Sequence, residues 1–235
     1  LEDFQRPVVV GAGPCGYFSA LILAQMGFRP LLIERGLPVK NRTVETFSFW
    51  KGRKPFNPDS NVQFGEGGAG TFSDGKLYSQ VSDPDHYGRK VLEELVKSGA
   101  NSNILSINRP HIGTFKLATV VRGMRSRIEG LGGEIRFETC MKELILHKSF
   151  DGFGVEKLNK VKGIELSDGT FINTNYVILA LGHSSRDSFA MLERVGINLQ
   201  PKLFSIGFRI EHPQSIVDEA CWGEMAGHPN LGAAE

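Results

Sequence analysis

The chain has 235 residues, 40% of them hydrophobic and 23% charged, with 27 Lys and Arg against 26 Asp and Glu and a net charge of +1. That composition is globular and long enough to bury a sizeable core, and it carries no basic stripe for nucleic acid and no polybasic membrane anchor. Three cysteines, Cys15, Cys140 and Cys221, are odd in number and far apart, which excludes a disulfide framework or a metal knuckle and points to a reducing, cytoplasmic compartment.

After a polar lead, residues 7–10 read as a buried strand that runs straight into Gly11-Ala12-Gly13-Pro14-Cys15-Gly16. An apolar helical stretch follows and stops at Gly27, a natural C-cap; it is too short to span a bilayer. Residues 30–33 form a second strand, closed by Glu34 and Arg35. Strand, helix and strand within about thirty residues imply parallel pairing with a right-handed crossover.

The pattern then loosens. Residues 36–81 hold Phe47, Phe49, Trp50, Phe56 and Phe64 among Gly, Asn, Pro and Ser, too irregular for a long element and too aromatic for disorder. A loop of that length inside a domain is usually functional. Asp83 and Pro84 cap a helix ending at Gly99, and Thr114 caps another with Leu117, Val120, Val121, Met124 and Ile128 on one face. Residues 133–137 and 144–146 have strand character. Residues 161–166 and 170–172 flank the turn Ser167-Asp168-Gly169 as a hairpin. The apolar run 176–181 predicts a central parallel strand buried on both faces, ending at Gly182 and His183. A helix over 187–195 and an alternating strand over 204–210 complete the pattern.

Gly11, Gly13 and Gly16 satisfy G-x-G-x-x-G between a strand and a helix, and Glu34 follows at the spacing expected of a dinucleotide fold. Gly11 permits the tight turn, Gly13 leaves room for a pyrophosphate, and Gly16 allows close packing. The helix N-terminus supplies free N–H groups and partial positive charge. Glu34 can accept hydrogen bonds from both ribose hydroxyls, which disfavours a 2′-phosphate. Gly65-Glu66-Gly67-Gly68-Ala69-Gly70 satisfies the same pattern, but no apolar helix or acid-terminated strand follows it. It reads as a loop whose bare backbone approaches a ligand, with Ser73, Asp74 and Lys76 as polar contacts.

The unit from Val8 to Gly16 with Glu34-Arg35 resembles the adenosine-binding unit of glutathione-reductase-like FAD proteins. Three further stretches carry a more specific likeness: Ser60 to Leu77, Pro110-His111-Ile112-Gly113-Thr114, and Arg209-Ile210-Glu211-His212-Pro213-Gln214. With Ala180-Leu181-Gly182-His183-Ser184, they resemble the bacterial FAD-dependent dehydrogenases described as NAD(FAD)-utilizing. The resemblance covers essentially the whole chain.

It implies an α/β, Rossmann-like FAD-binding domain over 1–183, with a central parallel sheet, a β-hairpin or meander and an irregular insertion at about 36–113. The start of a substrate-side domain would follow over 184–235. It also implies a fragment cut at both ends, since no Gly-Asp pair of the flavin-binding type stands near Glu235. Gly11, Gly13, Pro14, Cys15 and Gly16 would hold the pyrophosphate of FAD, Glu34 the ribose, and Arg35 would lie beside the adenine. Met141 would read the adenine edge through main-chain groups, and Gly67, Gly68, Ala69, Gly70 and Thr71 would run near the pyrophosphate and flavin. Ala180, Leu181 and Gly182 match a strand end that usually carries Thr where Leu181 stands. His183 is a flavin-site or substrate group, or else a loop histidine.

The reading is an FAD-dependent oxidoreductase, with NAD(P)H as a possible reductant, an unidentified small-molecule substrate or electron acceptor, and no metal, nucleic-acid or membrane partner. An NAD dehydrogenase without flavin and a noncatalytic flavin-binding or redox-sensing protein are the alternatives. A disulfide reductase is excluded because no close cysteine pair exists.

Overall fold

The computed structural model describes residues 5–78, 81–150, 156–208 and 210–234, with backbone alone at 148–150 and 156–159. The chain divides into two compact units, Leu1–Asn198 and Leu199–Glu235.

In the first unit, β1 (Val8–Val10) leads into α1 (Pro14–Gln25) and then β2 (Leu31–Ile33). β1 and β2 pair in parallel with Val8 opposite Leu31 and Val10 opposite Ile33. β3 (Glu134–Arg136) adds beside β2 and β7 (Val177–Leu179) beside β1, so the parallel order is β3-β2-β1-β7. Both sheet faces are covered, which is why the central strands read as unbroken apolar runs. Val9 and Leu32 pack under α1, α3 (Tyr87–Lys97) and α4 (Thr114–Gly130). Val8, Val10, Leu31 and Ile33 pack on the other side against the antiparallel sheet β4 (Met141–Phe150), β5 (Glu156–Leu166) and β6 (Phe171–Asn173) and against α5 (Arg186–Arg194). Burying each such side chain is worth about 1.5–3 kcal/mol. The result is a three-layer α/β fold.

α1 buries Gly16, Tyr17, Ala20, Leu21 and Ala24, one stripe at helical spacing. It ends in a Schellman turn: the N–H of Phe28 donates to the carbonyl of Leu23 at 3.0 Å, that of Gly27 to Ala24 at 3.0 Å, and Gly27 sits at φ +86°. Asp83 caps α3 by accepting from the N–H groups of Tyr87 (2.9 Å) and Gly88 (2.8 Å). Thr114 is no cap. It is the first residue of α4, and its hydroxyl donates to the carbonyl of Ser73 at 2.9 Å.

Three further expectations are corrected. Residues 36–81 contain a twelve-residue helix, α2 (Val39–Trp50), whose buried stripe is Val39, Arg42 and Thr46. The spacing is helical, but two of the three inward residues are polar, so apolar periodicity does not reveal it. β7 is an edge strand of the described sheet and only half-buried, not a central one. Residues 204–208 form no strand: Phe204, Ile206 and Phe208 are exposed, because alternation supplies two faces but hydrogen-bonded pairing makes the strand. Arg209 lies outside the described residues.

α5 belongs to the first unit, which runs to Asn198, through its packing on β4. The second unit comprises α6 (Gln214–Trp222) and a 3-10 turn, Gly223–Met225. Asp218 ties it by accepting from Gln214 Nε2 (2.9 Å) and the N–H of Ala234 (2.7 Å). Among the described residues no helix is long and apolar enough to cross a membrane.

Away from the cleft described below, Glu94 is fully buried between α3 and α4. It accepts from Lys90 Nζ (2.7 Å), Lys97 Nζ (3.2 Å) and Arg127 Nη2. Burial pushes its carboxyl up, but the hydrogen bonds from Lys90, Arg127 and Lys97 outweigh that and bring it from 4.5 down to about 2. The folded pKa is depressed, so the contribution is complete above the ordinary value and is lost as pH falls toward 2. Glu94→Gln is expected to cost about 2 kcal/mol at neutral pH. In urea titrations its gap from wild type should shrink steadily with acidification below 4.5. An equal gap at pH 7 and near pH 2 would contradict this assignment.

Candidate cofactor cleft

The turn between β1 and α1 needs two of its glycines for purely internal reasons. Gly11 sits at φ +104°, and a Cβ there would meet the carbonyl oxygen of Ala180 at 2.4 Å. A Cβ on Gly16 would lie 1.7 Å from the carbonyl oxygen of Gly11. Gly13 differs. Its φ is −77°, and a Cβ would meet only the Cα of Gly68, at an ordinary 3.8 Å. Gly13 is the N-cap of α1 and offers no side-chain cap. The first-turn N–H groups, carrying the positive end of the helix dipole, are therefore left to a ligand or solvent.

These groups face a cleft of about 480 Å³. Gly11, Gly13, Pro14 and Cys15 form one wall, Gly68, Ala69 and Gly70 another, and residues 179–184 a third, with Glu34, Gln63 and Phe64 at one end. Gly11, Glu34, Phe64 and Leu181 also line a small cavity of about 40 Å³ that includes Arg35 and Met141. Arg35, Thr139 and Cys140 carry that cavity into a polar one of about 610 Å³ beside Arg136, Glu138 and Asp168. The three make one trough, long and narrow at its middle, along the carboxyl edge of the parallel sheet. One bridge stands at the narrowing, and a second lies among residues that line the cleft of about 480 Å³. Arg35 lies over the Phe64 ring at 4.7 Å and donates to Asp187 Oδ2 at 2.8 Å. Ser184 Oγ donates to Gln63 Oε1 at 3.2 Å.

Glu34 is buried where the glycine loops meet. Its Oε2 accepts from the N–H of Ala12 at 2.7 Å, and Oε1 from those of Gly36 and Gly65, each at 2.9 Å. With three of about four acceptor positions used, Oε2 keeps capacity for one hydroxyl.

The second glycine loop is held from behind by Arg42, which is fully buried on α2. Its guanidinium donates to the carbonyls of Asn61 (2.7 Å), Val62 (2.9 Å), Gly65 (3.2 Å), Glu66 (2.8 Å) and Gly68 (2.9 Å). It also lies over the Phe72 ring at 4.9 Å. Burial pulls its pKa down to about 10, with the Glu34 and Glu66 carboxylates pushing back, so it remains a cation at neutral pH. Glu66, also fully buried, accepts from Tyr17 Oη at 2.7 Å and from the N–H of Val39 at 2.5 Å, with Arg125 Nε at 3.5 Å. One carboxylate thus ties α1, α2 and α4. Burial first, then Glu66, raises the Tyr17 hydroxyl well above its ordinary range and keeps it a neutral donor.

Most residues singled out from the sequence lie along the trough: Gly11, Gly13, Pro14, Cys15, Glu34, Arg35, Gly68, Ala69, Gly70, Met141, Ala180, Leu181, Gly182 and His183. Six do not line it. Gly16 packs behind the turn. A Cβ on Gly67 would strike Thr71 Oγ1 at 2.2 Å and Val121, which places Gly67 on the helix side. Thr71 is buried, with its hydroxyl on the carbonyl of Glu66 at 3.2 Å. Ser73 donates to the carbonyl of Gly70 at 2.7 Å, and Lys76 forms a β-bridge with His111; neither they nor Asp74 line the trough. Only burial marks Arg42, and the local sequence carries no sign of it; Glu66 stands inside the glycine run with no signal of its own. Among the described residues no cluster of His, Cys, Asp or Glu could hold a metal ion.

Residues 203–235 match the family model described as FAD-dependent protein, C-terminal domain-like. The chain is 44% identical over 230 residues to an uncharacterized protein of Clostridium beijerinckii, covering 98% of this chain and 40% of that protein. The chain therefore spans less than half the length of this curated relative. Among solved structures, THI4 of Thermovibrio ammonificans superimposes with a TM-score of 0.52 at 16% identity, covering 83% of this chain and 64% of that one. This similarity concerns the fold.

Proposed function

We propose that the protein binds FAD along the trough and works as an oxidoreductase that passes hydride or electrons through the bound flavin to or from a small molecule. The observation that carries the reading is Gly13: a Cβ there would meet nothing closer than an ordinary 3.8 Å, so no internal contact demands the bare backbone that faces the cleft. The pyrophosphate would sit against Gly13 and the N-terminus of α1, opposite Gly68 to Gly70. The free capacity of Glu34 suits one ribose hydroxyl, and the adenine would lie past Arg35 toward Thr139, Cys140 and Met141. Cys15 and His183 would stand toward the flavin end. FAD brings the redox chemistry; the chain's own groups bind, orient and shield it. NADH or NADPH is the proposed reductant and the cytoplasm the proposed compartment.

The purified protein is expected to be yellow, or to gain flavin absorbance when FAD is added. A colourless protein that gains none would end this reading. Anaerobic mixing with NADH or NADPH should bleach the flavin rapidly. If no reductant bleaches it, the protein is a flavin-binding sensor rather than an enzyme.

A further inference from the structure

We infer that Arg42 is a positioning residue for the cofactor site, an inference that rests on the FAD reading above. The segment 61–68 has no strand or helix of its own, yet its carbonyls at Asn61, Val62, Gly65, Glu66 and Gly68 converge on one guanidinium. Such a planar fork with five N–H groups can satisfy several carbonyls in fixed directions; an ammonium has three donors and no plane. Drawing these carbonyls inward leaves the Gly68 backbone turned outward, where a Cβ would be 2.9 Å from the Cα of Gly13. Gly65 matches this arrangement. It lies at φ +119°, and a Cβ there would fall 2.4 Å from Arg42 Cδ.

Arg42 acts by shape rather than by attracting phosphate. It is fully buried, with the Glu34 and Glu66 carboxylates opposing its charge, and it does not line the trough. What it determines is where the Gly68–Gly70 wall stands relative to the Gly13 wall, and so the width of the pyrophosphate channel.

The test compares Arg42→Lys, Arg42→Met and Glu94→Gln in the holoprotein. Glu94 serves as a control that lowers stability at a distance from the cleft. FAD affinity is read by fluorescence quenching, the flavin environment by its visible circular dichroism, and stability by thermal unfolding. Both Arg42 variants should weaken FAD binding by about 100-fold and alter the dichroism of whatever flavin remains, as expected when a preorganised site is lost. Glu94→Gln should lower the melting temperature with FAD affinity and dichroism unchanged. Should both Arg42 variants fail to fold, Thr71→Val, which removes a partner lying 3.4 Å from Arg42 Nη1, reads the same loop and should weaken FAD about tenfold. Unchanged affinity and dichroism in Arg42→Lys, or in Thr71→Val where that variant decides, would overturn the inference. So would losses that merely track melting temperature across Arg42→Lys and Glu94→Gln. Wild-type protein that binds no FAD would instead refute the functional reading itself.

Discussion

Gly16→Ala is expected to leave little folded protein. The added methyl would lie 1.7 Å from the carbonyl oxygen of Gly11 and 3.4 Å from Cβ of Ala180. Neither side can yield cheaply. Gly11 is pinned to β2 by its N–H bond to the carbonyl of Ile33 at 2.8 Å, and Ala180 to β1 by its bond to Val10 at 2.8 Å. Relieving the overlap means pulling α1 from the sheet, and α1 contributes Tyr17, Ala20, Leu21 and Ala24 to the core. A loss of more than about 4 kcal/mol follows from such backbone overlap, against a total stability of roughly 5–15 kcal/mol for a typical domain. Soluble yield and the urea midpoint check this; a midpoint near wild type would show that the turn can relax.

Gly13→Val should behave in the opposite way. At φ −77° the backbone accepts a side chain, and the nearest atom to the new Cβ is 3.8 Å away. Exchanging glycine for an apolar residue at an N-cap costs about 1 kcal/mol, so the melting temperature should fall by only a few degrees. FAD binding should weaken by at least about 100-fold, because the side chain would occupy the place proposed for the pyrophosphate. Fluorescence quenching of added FAD measures it. Normal FAD content in Gly13→Val would refute the placement, whatever its melting temperature. The pair of variants separates a glycine demanded by the fold from one demanded by a ligand, a distinction that G-x-G-x-x-G alone does not contain.

The strand–helix–strand start was legible because each step carries a local signal: three valines, a run of small residues, an apolar helix and a glycine stop. The hairpin around Asp168-Gly169 was legible for the same reason, since turn chemistry is local. α2 was not. Its inward face is Val39, Arg42 and Thr46, and nothing along the chain shows that a cation and a hydroxyl point into the protein. The strand expected over 204–210 does not form at 204–208 for the complementary reason, since a partner is a property of space.

Local sequence by itself determined the phosphate-type turn, the acidic end of β2 and the second glycine-rich loop, because glycine's conformational freedom and the spacing of a βαβ unit act over short stretches of chain. Tertiary structure alone decided which glycines face the cleft, that Gly67 and Thr71 turn away from it, and that Glu34 joins Ala12 to Gly65. It also made Arg42 the support of a loop lying some twenty residues further along the chain. A buried polar group must find its partners wherever the fold brings them, and that requirement leaves no periodic mark in the sequence.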